Sequence, residues 1–215
     1  MKNYGYYDAC DRAIKAMNRE NLEAFGRLKM AKWDQVNIIK TVMTVYRESA
    51  MKARKRYFEV AFEAYVLGLI MCGVASGEAH RKAEKEITFE WLDENLEQTD
   101  VVTLYRFDTE TERKAYRLAE TLEVSQDKDF EINKALRFWS QQLGQYAISI
   151  TDQAVVQAFI DYGLELIEWE TANDERVCHE CYALDKQVFR VTEIPPKPHW
   201  GCRCRFRPVF RSEGD

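Results

Sequence analysis

Proline is absent from the first 194 of the 215 residues; its four copies are Pro195, Pro196, Pro198 and Pro208. Nothing in that long stretch removes a backbone donor or crowds a preceding turn, so extended helices can run uninterrupted. Histidine is scarcer still, with three in the chain, too few for a nuclease that pairs a histidine base with a second metal. The most apolar run, Tyr65 to Ala75, is eleven residues long, against about 20 for a bilayer-spanning helix. It reads as a buried helix segment, and no membrane association is expected. The opening residues, MKNYGYYDACDR, are polar and carry no secretory signal. There is no internal repeat, phosphate-cradling glycine loop, Ser-His-Asp layout or H-E-x-x-H helix.

What is present is enough apolar residue, 46%, to bury a core as one domain or two small ones. The net charge of −5 does not describe a dedicated nucleic-acid binder. Charge is nonetheless uneven. Residues 1–60 hold 13 basic and 7 acidic side chains, residues 78–131 hold 8 and 16, and the tail from Lys197 to Arg211 has five cations and no acid. Solvated faces account for most such asymmetry, but it leaves non-specific DNA contact open.

Ile14, Met17, Phe25 and Leu28 predict an amphipathic helix over 8–30. No Gly or Pro interrupts Arg27 to Leu67, where Val36, Ile39, Met43, Tyr46, Ala50, Ala53, Tyr57, Ala61 and Ala64 step by three or four. This predicts a second, longer helix whose other face carries Arg47, Lys52, Arg54, Lys55 and Arg56. Gly68, Gly73 and Gly77 then mark a hinge or a close helix contact. The charged stretch 78–98 reads as a surface helix or connector anchored by Ile87, Trp91 and Leu92. A strand is expected over Val101 to Phe107, then a helix capped by Thr109 and Glu112 through Val124. Further helices are expected from Asp129 to Gly144 and from Thr151 to Gly163. LELIEWE (164–170) reads as a strand with Leu164 and Leu166 inward, Ile167 a further inward candidate, and Glu165, Glu168 and Glu170 on the wet face. The fold class is α+β: a helical arm over 1–98, and a small C-terminal α/β domain over 99–215 ending in a zinc-knuckle-like hairpin.

Four of the six cysteines crowd residues 169–210, in the pattern C-x2-C, seventeen residues, H-x2-C-x-C. These are Cys178, Cys181, His199, Cys202 and Cys204. Each short spacing aims two ligands at one point, which a tetrahedral Zn²⁺ needs. Disulfides are the rival and would require an oxidising compartment, whereas an unsignalled chain points to a reducing cytosol. Five candidates compete for four positions. Cys178, Cys181, His199 and one of Cys202 or Cys204 is the favoured set, Cys202 first. The four cysteines with His199 outside are the alternative. Cys202 and Cys204 are expected on one side of a final strand, with Arg203, Arg205 and Arg207 on the other. His179 is read as a surface residue, and Cys10 and Cys72 as buried small hydrophobes. A shell so full of thiolates leaves no position for a reactive water, so the metal is structural and no catalytic residues are assigned. Asp174, Glu175 and His179 are the only local bases for the alternative, a metal-dependent nuclease or processing hydrolase.

W-x-T-x-x-D-x-R-V-C-x-x-C, then F, then P-P-x-x-H-x-x-C-R-C, resembles the C-terminal motif of the Mu F-like head morphogenesis (minor head) proteins of tailed bacteriophages. Here its residues are Trp169, Thr171, Asp174, Arg176, Val177, Cys178, Cys181, Phe189, Pro195, Pro196, His199, Cys202, Arg203 and Cys204. The family commonly has a glycine in the turn after the C-x2-C pair, where this chain has Asp185-Lys186. The resemblance covers about fifty residues and implies a low-copy virion component encoded beside the portal protein. Its implied partners are the portal or the major capsid protein, with non-specific DNA contact as a weaker clause. Its implied place is the head interior or portal vertex, and the host cytoplasm during assembly.

Overall fold

The computed structural model describes residues 5–97, 106–172 and 177–210. Helix α1 (Asp8–Lys29) opens with Asp8 and Asp11 and closes with Arg27 and Lys29, charges that complement the helix dipole at both ends. It buries Met17, Phe25 and Leu28, close to the expected span. Helix α2 (Ile38–Met71) starts later than the lack of Gly and Pro implies. Asn37 stops the backward extension: its side-chain Oδ1 accepts from the Lys40 amide at 2.8 Å, an N-cap that fixes the boundary. Val36, ahead of the cap, and Ile39, in the first turn, both expected on the core stripe, are 37% and 43% exposed. From Met43 to Ala64 the predicted stripe is buried.

Helices α3 (Ser76–Glu86) and α4 (Phe89–Glu97) replace the single connector expected at 78–98, and bury Ala79, Ala83, Leu92 and Leu96. Helix α5 (Phe107–Val124) begins two residues before the expected Thr109 cap. Residues 101–105 of the expected strand, like the division near residue 98, lie at or within positions outside the described residues. Phe107 itself is helical and packs its ring 5.7 Å from Tyr57 and 5.1 Å from Tyr146.

Helix α6 (Lys128–Tyr162) is continuous over 35 residues, about 50 Å at 1.5 Å per residue, where two helices were expected. Thr151 does not cap a new helix; its hydroxyl donates back to the Ala147 carbonyl at 2.8 Å, as a mid-helix threonine can. Gly144 stays helical, and Gly163, with φ +85°, ends the helix as predicted. Helices α1, α2 and α5 pack around α6. At Gly68 the α2–α6 approach is so close that an added Cβ would lie 2.7 Å from the Ala158 methyl, so the glycine serves contact. A polar core link joins three helices: Trp139 Nε1 donates to Ser49 Oγ at 2.7 Å, which donates to Asn21 Oδ1 at 2.5 Å.

A small antiparallel sheet follows, ordered β2-β1-β3, from β1 (Leu166–Glu170), β2 (Val188–Arg190) and β3 (Arg205–Val209). Ile167 pairs with Phe189 on one side and Pro208 on the other; proline fits because β3 is an edge. Ile167 and Trp169 are the fully buried residues of β1: Ile167, the further inward candidate, is covered, whereas Leu166 is only half-buried. Trp169 packs edge-on against Phe206 at 5.4 Å.

Candidate metal centre

After β1 the chain reaches Cys178, the N-cap of the short helix α7 (His179–Leu184), and its Sγ accepts from the Cys181 amide at 3.3 Å. The C-x2-C pair thus occupies a first helical turn, with the hairpin turn Asp185-Lys186 after it. That turn brings the chain to β2, and the proline loop carries it on to His199. Gly201, at φ +71°, turns the backbone so that Cys202 comes back toward α7. Cys202 and Cys204 lie in extended chain just before β3, not in the strand as expected.

All five predicted ligands converge. Cys181 Sγ lies 3.2 Å from His199 Nε2 and 3.5 Å from Cys202 Sγ. Two triads, Cys178-Cys181-His199 and Cys181-Cys202-Cys204, each place their ligand atoms within 4.8 Å of one another. Tetrahedral zinc with Zn–S near 2.3 Å needs ligand atoms about 3.5–3.8 Å apart; each triad could hold a metal ion, and Cys181 is the residue the two share. His199 Nδ1 donates to the Trp200 carbonyl at 2.9 Å, which leaves Nε2 as the lone-pair nitrogen facing the sulfurs. All six cysteines are free thiols, and the lone Cys10 and Cys72 are buried as expected. Among the described residues, the groups close enough to share an ion contain cysteine and histidine and no carboxylate. Asp174 and Glu175 lie outside the described residues, and His179 is exposed at the start of α7.

Burial pushes the Cys181 thiol up to about 12. Cys202 is also raised, first by its hydrogen bond to Cys204 and then by burial. Cys204 falls to about 5, first through that same hydrogen bond, with the Lys197 charge assisting. A bound cation would take the place of the protons on these thiols.

The side chains that sequence reasoning missed surround this cluster. Lys197 Nζ lies 3.0 Å from Asp152 Oδ2 and donates to the Tyr7 hydroxyl at 2.8 Å and to the Cys204 carbonyl. The Tyr7 hydroxyl lies 2.9 Å from both Asp152 Oδ1 and the Cys204 carbonyl. Burial raises Asp152, and the adjacent Lys197 ammonium opposes that rise. Arg203 forks onto Asp11 at 2.7 and 3.0 Å. Arg205 and Arg207 both bond Glu170. No spacing rule links residues 7, 11 and 152 to 197–204; only the fold does.

The family model described as Phage Mu protein F like protein matches residues 64–207. The chain belongs to that family. No curated protein and no solved structure matches it. The Mu F-like span contains all five candidate ligands, Asp152 and Lys197, and excludes α1 with Tyr7 and Asp11. Several Mu F-like motif residues have a visible role in the fold. Trp169 fills the core under the sheet. Thr171 donates from its amide and hydroxyl to Asp185 Oδ1 at 2.8 and 2.9 Å, bracing the turn after α7. In that turn Lys186 takes φ +63°, the left-handed conformation that glycine adopts without strain. The backbone geometry that suits a glycine is therefore kept, with lysine bearing its cost.

Proposed function

We propose that this chain is a minor head protein of a tailed bacteriophage, acting in head morphogenesis and procapsid assembly beside the portal or inner capsid. Its cysteine cluster is a closed structural Zn²⁺ site built from Cys178, Cys181 and His199 with one of Cys202 or Cys204 as the fourth ligand, the other standing beside it. The Mu F-like match over 64–207, joined to the convergence of all five ligand candidates on Cys181, carries this reading. Zinc there supplies a cross-link, tying α7 to the proline loop and the start of β3. The protein's own residues do the rest: Trp169 and Phe206 pack the sheet, and Thr171 with Asp185 holds the turn.

Protein is the principal partner in this reading. Arg47, Arg54 and Arg56 on the basic face of α2 pair with Glu112, Asp93, Asp108, Glu20 and Glu59. Arg203, Arg205 and Arg207 are likewise engaged. Tight DNA binding with a steep loss of affinity in salt would overturn the preference for protein. Purified protein is expected to carry one zinc per chain by elemental analysis, and Cys181→Ser to lose it. Pull-down with the portal or with procapsids tests the assembly role; consistent absence from both overturns it. An activity abolished by Glu175→Gln or His179→Ala with zinc content unchanged would replace this reading with an enzymatic one.

A further inference from the structure

The chain holds a buried ion pair between Lys197 and Asp152. A buried pair contributes little net stability, because desolvating two charges offsets their attraction. Lys197 and Asp152 have side chains only 13% and 11% exposed, and Lys197 Nζ sits 5.2–5.8 Å from the Phe206, Tyr7 and Trp169 ring centres. What the pair does have is geometry. The ammonium's three protons are matched by three acceptors: Asp152, the Tyr7 hydroxyl and the Cys204 carbonyl. Lys197 stands two residues before His199, so one ammonium joins both ends of the loop that carries His199, Cys202 and Cys204.

We propose that Tyr7, Asp152 and Lys197 are positioning residues of the metal centre. They clamp the 197–204 loop from outside, so that Tyr7, the N-cap of α1 and beyond the Mu F-like span, helps set the affinity for the ion. This rests on the metal reading above. Two further contacts act in the same direction. Arg203, between the two cysteines, is held by Asp11 of α1 and lies 4.3 Å from the Tyr7 ring centre. The Gly201 amide donates to Gln145 Oε1 at 2.7 Å. Outer groups that orient ligands typically change metal affinity by about 10- to 100-fold. Coupling is reciprocal, so the metal must also tighten the hold on the start of α1.

The test uses the full chain, with zinc affinity measured by competition against a chromophoric chelator. Tyr7→Phe and Asp152→Asn are expected to weaken zinc by about 10- to 100-fold at unchanged stoichiometry, and to shift the ligand-field bands of the Co²⁺-loaded protein. Tyr57→Phe is the control. It removes a buried hydroxyl that donates to the Leu143 carbonyl at 2.9 Å, and should lower stability while leaving affinity and spectrum alone. Zinc removal from the parent should speed amide exchange over residues 7–13. Variants that bind zinc like the parent, with unshifted Co²⁺ bands and α1 exchange indifferent to metal, would overturn the positioning role while sparing the metal centre. A parent that takes up no zinc would overturn both.

Discussion

At the scale of single residues, Lys186 occupies the left-handed region of backbone space, which costs an ordinary residue about 1–2 kcal/mol. Its ion pair with Glu168 is exposed on the lysine side and contributes little. Lys186→Gly and Lys186→Ala both lose that pair, so comparing them isolates the backbone. The glycine variant is expected to be more stable by about 1 kcal/mol in urea titration, and equal stabilities would contradict the strain. Asp185 is the second brace of this turn. Its carboxyl is held below the usual aspartate range, first by the Thr171 amide.

Among the elements, the α2–α6 contact is the one that a single methyl group can disturb. Gly68→Ala would drive a Cβ to 2.7 Å from Ala158 and 3.1 Å from the Val155 carbonyl. Overpacking of this kind costs about 1–3 kcal/mol. Gly26, also helical, has nothing within 4 Å of the same added atom, so Gly26→Ala should gain up to about 1 kcal/mol from helix propensity. Thermal melts of the pair should move in opposite directions; a shared direction would mean that α2 and α6 are not so closely packed. The stripe of alanines on α2 belongs to the same argument, since small residues let two long helices approach.

For the whole molecule, acid is the informative stress. Burial raises Glu110, but hydrogen bonds from Arg113 and Gln142 and the charges of Lys114 and Arg113 outweigh it and hold the carboxyl below the usual range. A depressed folded value means stability that is present above the unfolded glutamate value, about 4.3, and lost as pH falls through the lower folded one. Glu110→Gln should therefore flatten the fall in stability below about pH 4.3 relative to the parent. Denaturant titrations at stepped pH would show this, and parallel curves would refute it. Glu170, held low against its own burial by Arg205 and Arg207, adds to the same acid limb.

Local pattern alone determined α1, most of α2, the presence of a strand within 164–170 and the five ligand candidates. Apolar spacing and chelate spacing both express what neighbouring residues can do together. Boundaries were less legible, because they hang on single hydrogen bonds. Asn37 made α2 begin late, while Thr151 turned its hydroxyl back on its own helix, so α6 ran through. The phase of β1 was settled by which side chains the helices and sheet could cover: Ile167, already an inward candidate, and Trp169 are fully buried, and Leu166 is not. Tertiary structure alone decided that Tyr7, Asp11 and Asp152 meet Lys197 and Arg203. Charges and hydroxyls so far apart in sequence carry no periodic signal; they acquire partners only when packing of α1 and α6 removes them from water together.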